Sequence, residues 1–166
     1  MPRTKRIRKY YKKKNKYNIE TNPKTFPGDG WVAPATETAF DRSYNEVIVA
    51  ASDTEGVRKV KNLTVSVAFN GYGANNTTFN NPIYWALVYV PEGTQPNYLN
   101  DVGDLYQPSQ WVLSSGILQI NEGKSRIYTP LSKNLNKGDR ICLCLGANST
   151  TPPTISALVR YAICFN

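Results

Sequence analysis

The 166-residue chain contains no histidine. That removes Ser-His-Asp and Cys-His nucleophile arrangements and the commonest general base at neutral pH. It also lacks a Gly-x-x-x-x-Gly-Lys-Ser/Thr loop and a Gly-x-Gly-x-x-Gly turn, which hold phosphates by backbone contacts. Asp101 and Asp104 are close in sequence, but a solvated loop accounts for both. No enzyme is expected. Cysteine is scarce and odd in number: Cys142, Cys144 and Cys164. Cys142 and Cys144 share one strand face, where they are poorly placed to bridge, so they read as buried free thiols acting as small hydrophobes. Without histidine there is no second ligand pair, so neither a metal nor another cofactor is expected. No apolar run is long enough to span a bilayer, and the basic N-terminus leads into no hydrophobic segment. Pro2 stands where myristoylation needs glycine. A chain made in the cytoplasm, without membrane insertion, is the expectation.

The most informative absence is local. Residues 1–16 contain no Asp or Glu, yet they carry Arg3, Lys5, Arg6, Arg8, Lys9, Lys12, Lys13, Lys14 and Lys16. The whole chain has 20 Lys+Arg and 12 Asp+Glu. Taking nine cations away leaves 11 basic and 12 acidic residues for the remaining 150, so the formal charge of +8 belongs to this segment alone. Its like charges repel and Ile7 is the only aliphatic residue in its interior, so residues 1–17 are expected to form a disordered arm. Tyr10, Tyr11 and Tyr17 are interleaved with the cations. Tyrosine stacks on unpaired bases while Lys and Arg neutralise phosphates, so the nine cations and three tyrosines together read as a nucleic-acid-binding segment. Arg3, Lys5, Arg6, Arg8, Lys9, Lys12, Lys13 and Lys14 also suit a nuclear import signal.

Residues 18–39 are turn-rich, with Pro23, Pro27-Gly28, Asp29-Gly30 and Pro34, and show no sustained period. They read as a linker or extended segment crossing the surface of a domain formed by residues 40–166, anchored by Trp31 and Val32. Within that domain, Tyr44–Ala51 is expected to be a strand. Leu63, Val65, Val67 and Phe69 then alternate with polar residues, as in a sheet with one buried side. Ile83–Val90 is apolar on both faces and predicts a central strand. Trp111–Ile120 predicts another, with Gly116 a candidate bulge. Arg126–Leu131 and Arg140–Leu145 follow, the latter with Ile141, Leu143 and Leu145 on one face. In the last strand Ile155, Ala157, Val159, Tyr161, Ile163 and Phe165 share a face. An eighth strand fits near Thr36–Phe40 or Pro130–Leu135. The long loop Thr94–Ser109 suits a subunit contact.

Short strands separated by turn signals, with no helical period, define an all-β sandwich or barrel. A single eight-stranded antiparallel jelly roll fits the count best, with an immunoglobulin-like sandwich second. The body's cations, such as Arg42, Lys124 and Lys133, read as dispersed. A near-neutral body rich in Tyr, Trp, Asn and Thr suits self-assembly rather than a dispersed monomer.

Several stretches resemble one family. They are Trp85-Ala86-Leu87-Val88-Tyr89-Val90-Pro91-Glu92-Gly93, Leu105-Tyr106-Gln107-Pro108 and Val112-Leu113-Ser114-Ser115-Gly116. Ser125-Arg126-Ile127-Tyr128, Leu135-Asn136-Lys137-Gly138-Asp139-Arg140-Ile141, Arg160-Tyr161-Ala162-Ile163 and Arg58-Lys59-Val60-Lys61 add to them. In this order, behind a basic arm, they resemble the capsid proteins of circovirus-like circular single-stranded DNA viruses that encode a replication protein. This body is shorter than is typical there, and its arm is richer in Lys than in Arg. The resemblance implies a jelly-roll shell domain, a closed icosahedral assembly of about sixty identical subunits, and arms turned inward onto a single-stranded DNA genome. It also implies import into the host nucleus for assembly, a host import receptor, a cell-surface receptor and a final place in the virion. Three other readings stand beside it. One is the coat of a small RNA or satellite virus, because phosphate neutralisation does not separate RNA from DNA. Another is a cellular nucleic-acid-binding module, which would be expected to continue its basic patch onto the folded domain. The third is a carbohydrate- or receptor-binding sandwich, which leaves the arm unexplained.

Overall fold

Apolar residues recurring every second position build nine antiparallel strands among the described residues of this computed structural model, which are 16–33, 40–70, 81–96, 111–118, 124–149 and 152–165. They are β1 (Asn18–Phe26), β2 (Arg42–Val49), β3 (Arg58–Phe69), β4 (Ile83–Val90), β5 (Trp111–Leu118), β6 (Lys124–Thr129), β7 (Lys133–Leu135), β8 (Arg140–Ala147) and β9 (Ile155–Phe165). The only helix among them is a 3-10 turn at Gly28–Gly30, so no described helix is long and apolar enough to cross a membrane.

The strands form a two-sheet β-sandwich. One sheet has the order β1-β9-β3-β6, with β7 also paired to β3; the other has the order β2-β8-β4-β5. Their inner faces meet in one core, to which Phe26, Leu63, Val65, Ile127 and Val159 contribute from the first sheet. Ile83, Leu87, Leu118, Leu143 and Leu145 contribute from the second. The expected inward row Leu63, Val65, Val67, Phe69 is buried, and Ile83–Val90 is a central strand between β8 and β5.

Three features depart from the sequence reading. First, the segment 18–39 is more than a linker crossing the surface, because Asn18–Phe26 pairs with β9 over nine consecutive positions. Only Phe26 of this strand is fully buried, so it carries almost no apolar alternation to be read. Its Pro23 is tolerable because an edge strand has one unpaired side. Lys24 reaches across the sandwich to Glu46, Nζ to Oε1 2.7 Å, and the Tyr44 hydroxyl donates to the other oxygen of Glu46. Trp31 is buried as expected, whereas Val32 stays exposed and contributes a single backbone bridge to Ser43.

Second, the described strands number nine rather than eight. The eighth is β7, which falls within the candidate Pro130–Leu135, and β1 is the ninth; residues 36–39 of the other candidate, Thr36–Phe40, lie outside the described residues. β6 and β7 run end to end along β3, opposite Leu63–Ala68 and Arg58–Val60 respectively. Pro130, which has no N–H to give the ladder, falls between them.

Third, the bulge expected at Gly116 is elsewhere. Gly116 pairs in register with Trp85, and the shift falls between Leu87 and Val88, opposite Leu113. Gly116 is instead small because the Trp85 ring leans over it: an added Cβ would sit 2.9 Å from that ring. A second bulge, in β3 beside Asn62 (φ 53°), explains why the buried positions change from Arg58 and Val60 to Leu63 and Val65. Asparagine is among the few residues that accept this left-handed backbone. Phe165, expected inward, is exposed at the last position of β9, while its five predecessors on that face are buried.

The second sheet's outer face is mainly apolar, with Arg140 at one end of it. Ala86, Val88, Val90, Cys142 and Cys144 form a fully buried patch on it, with Phe40 packed alongside. Asn45 Nδ2 donates to the Pro96 carbonyl at 2.9 Å and Arg140 to that of Thr94, holding residues 91–96 against this sheet. All three cysteines are free and buried. Burial pushes the Cys142 thiol up to about 11 and raises that of Cys144 further.

Candidate nucleic-acid interface

The outer face of the first sheet is built by the opposite phase of the same alternation. β3 directs Lys59, Lys61, Thr64, Ser66 and Ala68 outward, because Leu63, Val65, Val67 and Phe69 are claimed by the core. β6 contributes Lys124, Arg126 and Tyr128, and β9 contributes Leu158, Arg160 and Ala162. β1 adds Ile19 and Thr21. Five of the body's cations thus share one face, and no Asp or Glu occupies an outward position of its strands. Among the described residues, none of these five cations is paired with a carboxylate.

The arm joins the body on this face. Tyr17 lies with its ring 3.7 Å from the Lys61 ammonium, a cation–π contact. Burial, and then the hydrogen bond between its hydroxyl and Cys164, raise the Tyr17 pKa. Lys16 precedes it as the first described residue. Arg3, Lys5, Arg6, Arg8, Lys9, Tyr10, Tyr11, Lys12, Lys13 and Lys14 lie outside the described residues, and with them the whole import-signal reading.

Cross-strand register arranges the middle of the face into two rows. Arg160, Thr64 and Tyr128 stand side by side on β9, β3 and β6, and Leu158, Ser66 and Arg126 form the next row. Small residues on the central strand between long ones on its neighbours leave an open hollow of about 570 Å³. Its floor includes Thr64 and Ser66, and its rim includes Arg126, Tyr128, Leu158, Arg160 and Ile19. Tyr128 is 48% exposed, and the Arg126 guanidinium carbon lies 5.6 Å from its ring centroid.

The reading of the body's cations as dispersed is therefore corrected. Of the three residues that suggested it, Lys124 belongs to this face. Lys133 instead sits on the Tyr89 ring at 3.9 Å, and Arg42 begins β2 in the other sheet. The missed residues are Lys59, Lys61, Arg126 and Arg160. Their signal was available: all lie at polar positions of alternating strands, and only the pairing of β3 with β6 and β9 gathers them. Arg58 is different, because it points inward past the bulge and donates to the carbonyls of Ala50 and Asp139 at 3.0 and 3.1 Å. The Asp139 carboxylate accepts from the Tyr89 hydroxyl at 2.7 Å and from the Asn136 amide at 2.7 Å. That cluster closes the β7–β8 turn. Among the described residues, no group of three potential metal ligands comes together.

No family model and no curated protein matches the chain. Among solved structures it is similar to T=1 particles derived from infectious bursal virus, at 10% identity and a TM-score of 0.18. It is similar also to T=1 particles of a mutant VP2 protein of infectious bursal disease virus, at 11% identity and a TM-score of 0.17. Both alignments cover all of this chain and 45% of the other, so the chain spans less than half the length of these viral capsid neighbours. At such scores the likeness carries no argument about topology or activity, which rest on the strand order and the site.

Proposed function

We propose that the chain is the subunit of a viral capsid that packages a single-stranded DNA genome and has no enzymatic role. The observation that carries this reading is the continuity of arm and body. The acid-free segment 1–16 enters the fold on a cationic face that has no outward carboxylate among the described residues, and the opposite outer face is mainly apolar, its Arg140 engaged by a carbonyl. One side of the domain thus suits a polyanion and the other does not. The strand order supports the shell-domain part of the reading. With the short β7 set aside, the remaining eight strands, numbered in sequence, run 1-8-3-6 in one sheet and 2-7-4-5 in the other, the interleaving of a jelly roll. The same face gives substance to a second reading, a cellular nucleic-acid-binding module, because such a module carries its basic patch onto the folded domain.

Self-assembly separates the two. Purified chain viewed by negative-stain microscopy should form uniform spheres in the capsid reading, and a monomer or small oligomer would overturn it. Nucleic-acid binding is tested separately by titrating the chain with random single-stranded oligonucleotides at rising salt. If most of the arm's nine cations meet phosphates, the log–log slope should be roughly −6 at about 0.7 per contact. A shallow slope, or tight binding confined to one sequence, would remove the packaging mechanism.

A further inference from the structure

We infer that the hollow on the outer face of the first sheet is a site for one nucleotide of a single strand, held by the folded body independently of the arm. The inference rests on the nucleic-acid reading above and goes beyond it, since that reading needs only the arm. Its basis is the diagonal arrangement of the rim. Arg160 and Arg126 stand at opposite corners, two strands apart and one row apart, while Tyr128 and Leu158 occupy the other two corners. With strands about 5 Å apart and alternate residues about 7 Å apart, the two arginine backbones lie about 12 Å from each other. Two guanidinium groups reaching inward from that separation can take the phosphates on either side of one nucleotide. Guanidinium presents forked donors that match phosphate oxygens. Between them, the exposed Tyr128 ring offers a stacking surface and Leu158 an apolar wall, and bases bind aromatic faces with little regard to sequence. Arg126 already lies near one part of the Tyr128 ring, which leaves the rest to a base. The Thr64 and Ser66 hydroxyls on the floor supply donors and acceptors for sugar or base edges. A volume of about 570 Å³ falls within the range of pockets that hold small ligands, about 300–1,000 Å³.

The occupant is not the arm itself, whose nine cations the two arginines would repel. Duplex DNA fits poorly, because its bases are already stacked and cannot reach Tyr128.

The test uses the full chain. An oligothymidine bearing 5-bromodeoxyuridine is bound, irradiated and mapped by mass spectrometry after trypsin digestion. An adduct on the peptide Ile127–Lys133, which carries Tyr128, is expected in addition to any on the arm. In parallel, Tyr128→Ala should weaken binding of the oligothymidine about 5- to 150-fold, the range for losing one stacked base, while Tyr128→Phe should not. Replacing both arginines (Arg126→Gln with Arg160→Gln) should make the salt slope shallower by about 1.4, two contacts at about 0.7 each. These side chains are exposed, so circular dichroism should match the wild type. If adducts fall only on Tyr10, Tyr11 or Tyr17 and all body variants bind as the wild type does, the inference is overturned and the arm reading stands. If the wild-type chain binds no oligonucleotide, both fall together.

Discussion

The two outer faces of the sandwich are made by the same rule and have opposite characters. On the first sheet, the residues left over from the core are Lys59, Lys61, Lys124, Arg126 and Arg160, set among Thr, Ser and Tyr. On the second, the leftover positions include Ala86, Val88, Val90, Cys142 and Cys144, which are themselves buried, and one cation, Arg140, which donates to the Thr94 carbonyl. A β-strand offers one face to the core and leaves the other free for a second purpose. Here one sheet spends that freedom on charge and the other on a second apolar layer. The near-neutral composition of the body hides the difference, because none of the carboxylates among the described residues points outward from the strands of the first sheet. Local concentration of charge, rather than the net value, is what a polyanion would meet.

The largest effect that would break this comparison comes from placing the same charge on each face. Val88→Asp puts a carboxylate at a fully buried position, where the nearby Arg140 is already engaged by the Thr94 carbonyl. Breaking a buried pair, and so stranding a buried charge, costs about 3–5 kcal/mol. A comparable loss is expected here, and urea unfolding should find most of the stability gone. Arg160→Asp, on the exposed face, should change stability by less than about 0.5 kcal/mol while weakening single-strand binding. A wild-type urea midpoint for Val88→Asp would show that the second face is not an interior.

Alkaline pH sharpens the same contrast at intermediate size. Burial pushes the Cys142 thiol from 9.0 to about 11. The Tyr89 phenol is pushed up to about 12 by burial and then by its bond to Asp139. Both groups are protonated in folded and unfolded chains at pH 7, so neither makes stability vary there. Above their ordinary values the unfolded chain releases these protons while the folded chain keeps them. Stability must therefore fall as pH rises from about 9 towards 12, with the slope set by the proton difference. Thermal midpoints at pH 8 and 10.5 should drop in the wild type and drop less in Cys142→Ala. An unchanged midpoint between these two values in the wild type would mean that the thiols are open to water.

The smallest expected effect contrasts a filled gap with an open one. Gly116 makes room for Trp85, and Ser66 borders a hollow that no side chain of this sheet fills. Gly116→Ala should cost about 1–3 kcal/mol by overpacking, and Ser66→Ala less than about 0.5 kcal/mol. Urea midpoints compare them directly. Equal costs would remove the distinction between the two gaps.

The strands with strong alternation were legible from residues alone, because Leu63–Phe69 and Ile155–Ile163 display their buried sides without help from context. β1 was not, since its inward positions include Asn22 and Lys24, which an edge strand tolerates and a partner sheet neutralises through Glu46. Gly116 was misread because a glycine in a strand fits either a bulge or a close approach, and only the neighbouring Trp85 decides between them. The cationic face was legible only as separate polar positions, not as one surface. Lys61, Arg126 and Arg160 are separated by tens of residues, and their proximity is a product of pairing register. The arm, in contrast, was visible at once as a charge run, yet only Lys16 and Tyr17 of it lie among the described residues.

The position of β9 has a consequence for the order in which the protein comes into being. β9 lies between β1 and β3, so the first strand and the third are joined only through the ninth. During synthesis β1 and β3 both emerge before the strand that unites them, and the first sheet cannot close until residues 155–165 have left the ribosome. Folding that depends on contacts so distant in sequence is slow and leaves edges unpaired meanwhile. The cationic segment, being made before the domain, is free to meet a polyanion while the domain behind it is still incomplete. The first sheet therefore appears only after translation has passed β9, which gives the nascent chain an interval in which charge acts before shape.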